Sequence, residues 1–382
     1  MINRSTDNIK KQLKESKILL KDSKLNKDLR FAIYNYIGNL YASLYCLGDT
    51  ETEYNRNEIF GNEENYNDFT YRIDSYEDVY IDNFLKNKDF HKDYLYSIIT
   101  EVQKYLYKAY PLEEERIEYS EKDFIDIIYQ FMKTIDREKV FDEIYKDGRI
   151  YSTIGQNNKN MGFALYNPAS KETDFFIKDF KCDIESMIAT IHELGHGEDL
   201  SRPFNDIKTY NNYFYLSTYG EVISRMYERL LLRYLIKNNI SLNSAKNSLL
   251  EYELTNHDFI LQSYIFSLLD KEFIKSGEYL DCSPKEITEK IKKHFLEDDS
   301  IEYFITGMQE SDIAEVYNYA YGDIISMFLA ESVEQDGFDN ELINYFFTKR
   351  ATMFDDRFLK KNGMDAKKYV KLHKAEMKLL KK

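Results

Sequence analysis

His192-Glu193-Leu194-Gly195-His196 is the segment of this chain whose residue types and spacing could carry a whole hydrolytic reaction. Residues four apart on a helix share a face, so both imidazoles can reach a single metal ion. Glu193 follows the first of them, where its carboxylate can act on water instead of binding the metal. Zinc held by neutral nitrogen ligands with one position open acidifies water at neutral pH. The residues leading in, Asp183-Ile184-Glu185-Ser186-Met187-Ile188-Ala189-Thr190-Ile191, place acidic groups early and apolar ones at helical spacing. Histidine is scarce, 6 in 382 residues. A chance HExxH is therefore expected in roughly one chain in a hundred of this composition.

Catalytic zinc usually has three protein ligands, and two histidines with a glutamate are one standard set. No histidine closely follows His196. The next acidic candidate, Glu221, stands near the start of Leu216 to Leu231, which reads as a second amphipathic helix. Ser201-Arg202-Pro203-Phe204-Asn205-Asp206 between them has turn chemistry that lets the chain reverse. Glu221 is thus the expected third ligand. Glu228, two turns later on the same face, either orients a ligating histidine or pairs with Arg225 or Arg229.

HELGHG followed by Tyr219-Gly220-Glu221-Val222-Ile223-Ser224-Arg225-Met226-Tyr227-Glu228 resembles the thimet oligopeptidase and oligoendopeptidase F family of zinc peptidases. Glu221, Ser224 and Glu228 match that family's glutamate ligand, serine and second acidic residue. Upstream, Gly155 to Ala164 is similar to the family's Gly-Ala-containing segment, and Thr173 to Phe180 to the strand before its metal helix. Downstream, Val316-Tyr317-Asn318-Tyr319-Ala320-Tyr321-Gly322 resembles its tyrosine-rich segment, whose side chains face the zinc and bind the substrate carbonyl.

The match runs roughly from residue 145 to 335, as in a shortened and divergent member. It implies a mainly α, zincin-type peptidase body with a deep cleft and a small β-sheet beside the HExxH helix. It also implies Zn2+ on His192, His196 and Glu221, Glu193 as general base, and Tyr317 and Tyr319 as oxyanion donors, with Tyr321 in reserve. The substrate would be an oligopeptide. Two positions depart from the family pattern: Gln309 falls where a histidine usually precedes the tyrosines, and Asp199 where one often follows the second zinc ligand.

The elements that must position these residues are mostly helical. Only four prolines interrupt the chain, and apolar residues recur at helical spacing near 29–41, 93–109, 124–132, 255–276, 284–297, 311–333 and 339–353. Gly48 to Asn67 reads as a polar loop. Strand character is confined to Arg149–Thr153, Gly162–Tyr166 and Asp174–Lys178, with a hairpin turn through Asn167-Pro168-Ala169-Ser170. Asp174 to Lys178 is the expected exposed edge, on which an extended peptide could pair. Residues 1–140 are expected to form a helical region walling part of the cleft, and 141–382 the catalytic domain. Fewer residues precede the matching region than in longer family members, so a shallower cleft is expected.

The chain carries 52 basic and 67 acidic residues, net −15, which argues against nucleic-acid binding. Its N-terminus is polar, no stretch has the length of a membrane span, and Cys46, Cys182 and Cys282 suit reduced, packed thiols. A cytoplasmic protein without membrane or nucleic-acid partners is expected. Two other readings stay open. One is a metallocarboxypeptidase of similar fold, with Arg202 or Arg225 holding the substrate's terminal carboxylate. The other is a peptide-binding protein that has lost turnover.

Overall fold

The computed structural model describes residues 2–3, 5–106, 108, 111–112, 117–153, 162–178, 180–217, 219–292, 301–310, 313–350 and 356–381. It is mainly α-helical with one small sheet. Most of the expected helices are present: Lys27–Cys46, Glu63–Leu106, Glu121–Thr134, Leu242–Leu268, Pro284–Ile291, Ile313–Asp336 and Glu341–Lys349. No helix among the described residues is long and apolar enough to cross a membrane.

The chain forms two compact units, each drawn from several stretches. One comprises residues 1–76, 116–215 and 333–347, the other 77–115, 216–332 and 348–382.

The first unit holds the sheet: β1 (Ile2–Asn3), β2 (Ile150–Thr153), β3 (Gly162–Tyr166) and β4 (Thr173–Lys178), in the order β1-β2-β4-β3. β2 pairs parallel with β4, and β3 antiparallel with β4, Phe163 opposite Phe176. The hairpin closes through Asn167, whose backbone N–H donates to the Glu172 carbonyl and whose side chain accepts from Ala169 and Ser170. Asp174–Lys178 is therefore not an edge. β4 is flanked on both sides, and the strands at the sheet's edges among the described residues are the two-residue β1 and the longer β3.

β4 is central because it is apolar on both faces. Phe175, Phe176 and Ile177 are buried, as a strand covered on two sides requires. One face meets a core of Ile33, Ile37, Leu40, Tyr151 and Phe176, and the other the helix Ile184–Ser201. Gly48–Asn67 is only partly a loop. Asn55 caps a short helix, Arg56–Phe60, whose Ile59 and Phe60 are buried, Phe60 against Tyr34. Its polar residues face outward, which is why the stretch reads as unstructured.

The second unit centres on Val222–Lys237, Leu242–Leu268 and Ile313–Asp336. Val222–Lys237 is not amphipathic in place. It is buried nearly all round, Arg225, Arg229 and Arg233 included. Four-residue spacing aligns these arginines on one face, where buried carboxylates receive them.

Candidate metal centre

In the first unit, Asp183 caps the Ile184–Ser201 helix, its carboxylate accepting from the Ser186 N–H at 2.8 Å. One turn separates His192 from His196, and their Nε2 atoms lie 3.1 Å apart with the rings nearly perpendicular. Two ligands of one tetrahedral zinc stand about 3.3 Å apart, from metal–nitrogen distances of 2.0–2.1 Å. The pair therefore fits a common ion.

Glu193 is 3% exposed. A Cβ at Gly162, at the start of β3, would lie 2.8 Å from Glu193 Oε1 and 2.9 Å from the Phe176 carbonyl oxygen. Only glycine admits the carboxylate so close to the strand. A Cβ at Gly197 would overlap the Phe175 ring, so this glycine lets the Ile184–Ser201 helix sit on β4.

Past the histidines the helix is anchored by charge. Glu198 is buried and receives Arg202 at 2.9 Å and Arg137 at 3.4 Å, and both arginines also reach Asp339. The Arg137 guanidinium holds the Asp339 carboxyl below its usual range. Asp199, where the family often has histidine, is fully buried and accepts from the Tyr213 hydroxyl.

In the second unit, Glu221 immediately precedes the Val222–Lys237 helix. Its Oε2 accepts from Ser224 Oγ at 2.9 Å, which fixes the direction of the carboxylate. A Cβ at Gly322 would lie 2.7 Å from Glu221 Cβ and 3.2 Å from its carbonyl carbon, so this glycine brings the Ile313–Asp336 helix onto Glu221. Glu228 pairs with Arg225 at 2.7 Å, both buried. Arg225 is one of the two ion-pair partners expected for it.

The tyrosines separate by burial. Tyr317 is 1% exposed and donates its proton to the Ser263 carbonyl at 3.2 Å, with Phe84 and His91 against its ring. Its hydroxyl proton is thus committed within the core. Tyr321 is fully buried, 2.7 Å from His91 Nδ1. Tyr319 is half-buried, stacked on Phe259 with the Arg225 guanidinium 5.3 Å from its ring centre. Gln309 donates to the carbonyls of Tyr279 and Cys282, clipping a neighbouring turn. Of the family-like segment 155–164, residues 155–161 lie outside the described residues.

Sequence reasoning did not anticipate a buried charge network around the Val222–Lys237 helix. Arg229, fully buried, meets Glu253 at 2.7 Å and also Asp323 and Glu376. Arg233 meets Glu376, and His373 meets Glu253, each at 2.7 Å. Burial pushes the Glu253 carboxyl up, but Arg229 and His373 outweigh it and hold the group well below its ordinary value. Burial dominates at Asp323, whose carboxyl is raised in spite of Arg229. The only hint in sequence was the four-residue spacing of the arginines.

No protein-family model matches the chain, and no curated protein matches it. The chain is similar to a solved structure from Bacillus anthracis str. Ames assigned as an oligoendopeptidase F. The TM-score is 0.42 and the identity 12%, over 91% of this chain and 62% of that one. The chain thus spans less than two thirds of the length of the structure it matches.

Proposed function

We propose that this protein is a zinc-dependent endopeptidase acting on oligopeptides, with His192, His196 and Glu221 as metal ligands and Glu193 as general base. The observation that carries this reading is the metal helix itself. Two imidazole Nε2 atoms converge to 3.1 Å, and the carboxylate beside them is buried against the first residue of an edge strand. A helix merely supporting a sheet has no need of a buried glutamate that excludes a Cβ from that strand.

Zinc bound there supplies a Lewis acid for the scissile carbonyl and acidifies water at neutral pH. The chain's own residues do the rest. Glu193 accepts a proton from the attacking water and passes it to the leaving amine. The outer edge of β3 pairs with the extended peptide, which sets the scissile bond near Glu193 because that carboxylate abuts Gly162. Tyr319 donates to the developing oxyanion, while Tyr317, whose proton goes to Ser263, holds the tyrosine helix in place. Against the carboxypeptidase reading, both of its candidate cations already have carboxylate partners. Arg202 is paired with Glu198 and Asp339, and Arg225 with Glu228.

The test is hydrolysis of internally quenched peptides blocked at both ends, by zinc-loaded wild type and Glu193→Gln. The expected result is internal cleavage by wild type, and at least a ~100-fold lower rate in a variant that still holds one zinc. Undiminished cleavage by the variant would remove Glu193 as the base. Cleavage of free-ended peptides alone would restore the exopeptidase.

A further inference from the structure

β3 presents two unlike faces. Phe163 and Leu165 pack into the core of the first unit, with Ile33, Ile37, Leu40 and Phe176. Alternation therefore sends Gly162, Ala164 and Tyr166 to the opposite face, the one on which Gly162 meets Glu193. Along that face the side chains grow from none to a methyl to a phenol. The two small residues let the Ile184–Ser201 helix pack on the strand, and Tyr166 is the first bulky group beyond them.

Tyr166 begins a row of rings. Its ring lies 5.2 Å from that of Tyr210, on the helix Ile207–Leu216 of the same unit. Tyr210 in turn meets Phe204 at 5.6 Å and Phe214, one helical turn on, at 6.3 Å. Tyr210 is buried, but Tyr166 is only half-buried and Phe214 is 48% exposed. Rings that serve only to fasten a helix to a sheet are covered by doing so, whereas this row keeps aromatic surface open beside an edge strand.

An extended peptide on the outer edge of β3 projects alternate side chains to the face that bears Glu193. The peptide residue opposite Gly162 lies beside Glu193. The one opposite Tyr166 is four residues further along, about 13 Å away, with its side chain on the same face. Directly opposed side chains in a sheet touch, and aromatic pairs are among those that gain.

We propose that Tyr166, backed by Tyr210 and Phe214, forms a subsite for an apolar, preferably aromatic, side chain of the substrate. That side chain belongs to the fourth or fifth residue from the scissile bond, depending on which residue flanking the bond pairs with Gly162. This rests on the peptidase reading above and deepens it, since a peptide too short to reach Tyr166 forfeits the contact.

The test reads specificity as a ratio. Internally quenched peptides blocked at both ends carry Phe, Leu, Ala or Glu in turn at each position, and kcat/KM is measured with zinc-loaded wild type. Phe should exceed Ala about tenfold at the fourth or fifth residue on one side of the cut. Tyr166→Thr, which keeps a β-branched strand former, should bring that ratio close to one. Phe214→Ser should lower it in part, and Tyr166→Phe should preserve it. A ratio of two peptides on one preparation does not depend on the fraction of protein that is folded or loaded. The same peptides, labelled and bound to zinc-loaded Glu193→Gln protein, should show the same order by fluorescence anisotropy. Cleavage indifferent to that residue, a preference confined to other positions, or one that survives Tyr166→Thr would each overturn the inference. Binding that prefers Phe and loses the preference in Tyr166→Thr, without cleavage by wild type, would count against the peptidase function and leave the subsite standing. Neither binding nor cleavage would overturn both.

Discussion

Two imidazole nitrogens 3.1 Å apart must either share a proton or face a common cation. That pair was legible in the sequence because four-residue spacing on a helix dictates a shared face whatever surrounds it. Tyr317 and Tyr319 show the limit of such reasoning. Both fit the same motif, yet one is sealed in the core and the other is half-buried, and only tertiary packing decides which. Ser224 supplies a residue-scale prediction. Its hydroxyl fixes one oxygen of Glu221, and groups that orient a ligand typically contribute 10–100-fold to metal affinity. Ser224→Ala should therefore weaken zinc binding by about that factor, measured by competition with a chromophoric chelator, with helical circular dichroism unchanged. Glu221→Ala should strip the zinc altogether. Zinc affinity untouched by Ser224→Ala would show that the hydrogen bond orients nothing of consequence.

At the level of elements, periodicity revealed many of the helices, though not Asp7–Leu19, Ile301–Glu310 or Ala366–Glu376, and three of the four strands. β1 escaped because two residues carry no period. Sheet order escaped for a different reason. A hairpin predicts that β3 and β4 are neighbours, but β2 joins the sheet by parallel pairing with β4, and no local signal says on which side of the hairpin it will add. The glycines carry more information at this scale than the propensities do. Gly322 stands in a buried helix with Glu221 against it, so the cost of a side chain falls on backbone and Cβ atoms that cannot swing away. Gly322→Ala should destabilise the protein by about 1–3 kcal/mol through overpacking, even though alanine is the better helix former. It should also lower zinc affinity, because the displaced group is Glu221. Urea denaturation and zinc titration read the two effects separately, and a more stable variant with unchanged affinity would show that the helix can retreat without disturbing the ligand.

For the whole molecule, composition indicated an acidic protein but not where its charges reside. A net charge of −15 reads as a solvated surface, yet Arg229, Glu253, Asp323 and Glu376 are all buried together, gathered from positions 147 residues apart. Charged residues are so seldom buried that sequence reasoning assigns them outward by default. The pH dependence of stability sums both kinds of site. Asp49, held down to about 2 chiefly by its hydrogen bond from Lys10, contributes stability that is present above its ordinary value of 3.8 and is lost as pH falls toward 2. Asp174 acts in the opposite sense. It is 5% exposed on β4, where burial lifts its carboxyl to about 6, the hydrogen bond from Gln12 and the charge of Arg149 pull it down, and Glu172 adds a smaller upward push. Because the folded state holds this proton more tightly than the unfolded one, stability falls as pH rises from about 4 to about 6, and the full penalty persists above that. Raising the carboxyl from 3.8 to about 6 corresponds to about 3 kcal/mol. Asp174→Asn retains an oxygen to accept from Gln12 and removes the charge. The variant should match wild type near pH 4 and exceed it by about 1–3 kcal/mol at pH 7.5, in urea denaturation followed across that range. A difference that fails to grow between pH 4 and 6 would mean that Asp174 is not charged at a cost in the fold, and that the hydrogen bond from Gln12, rather than burial, sets its protonation.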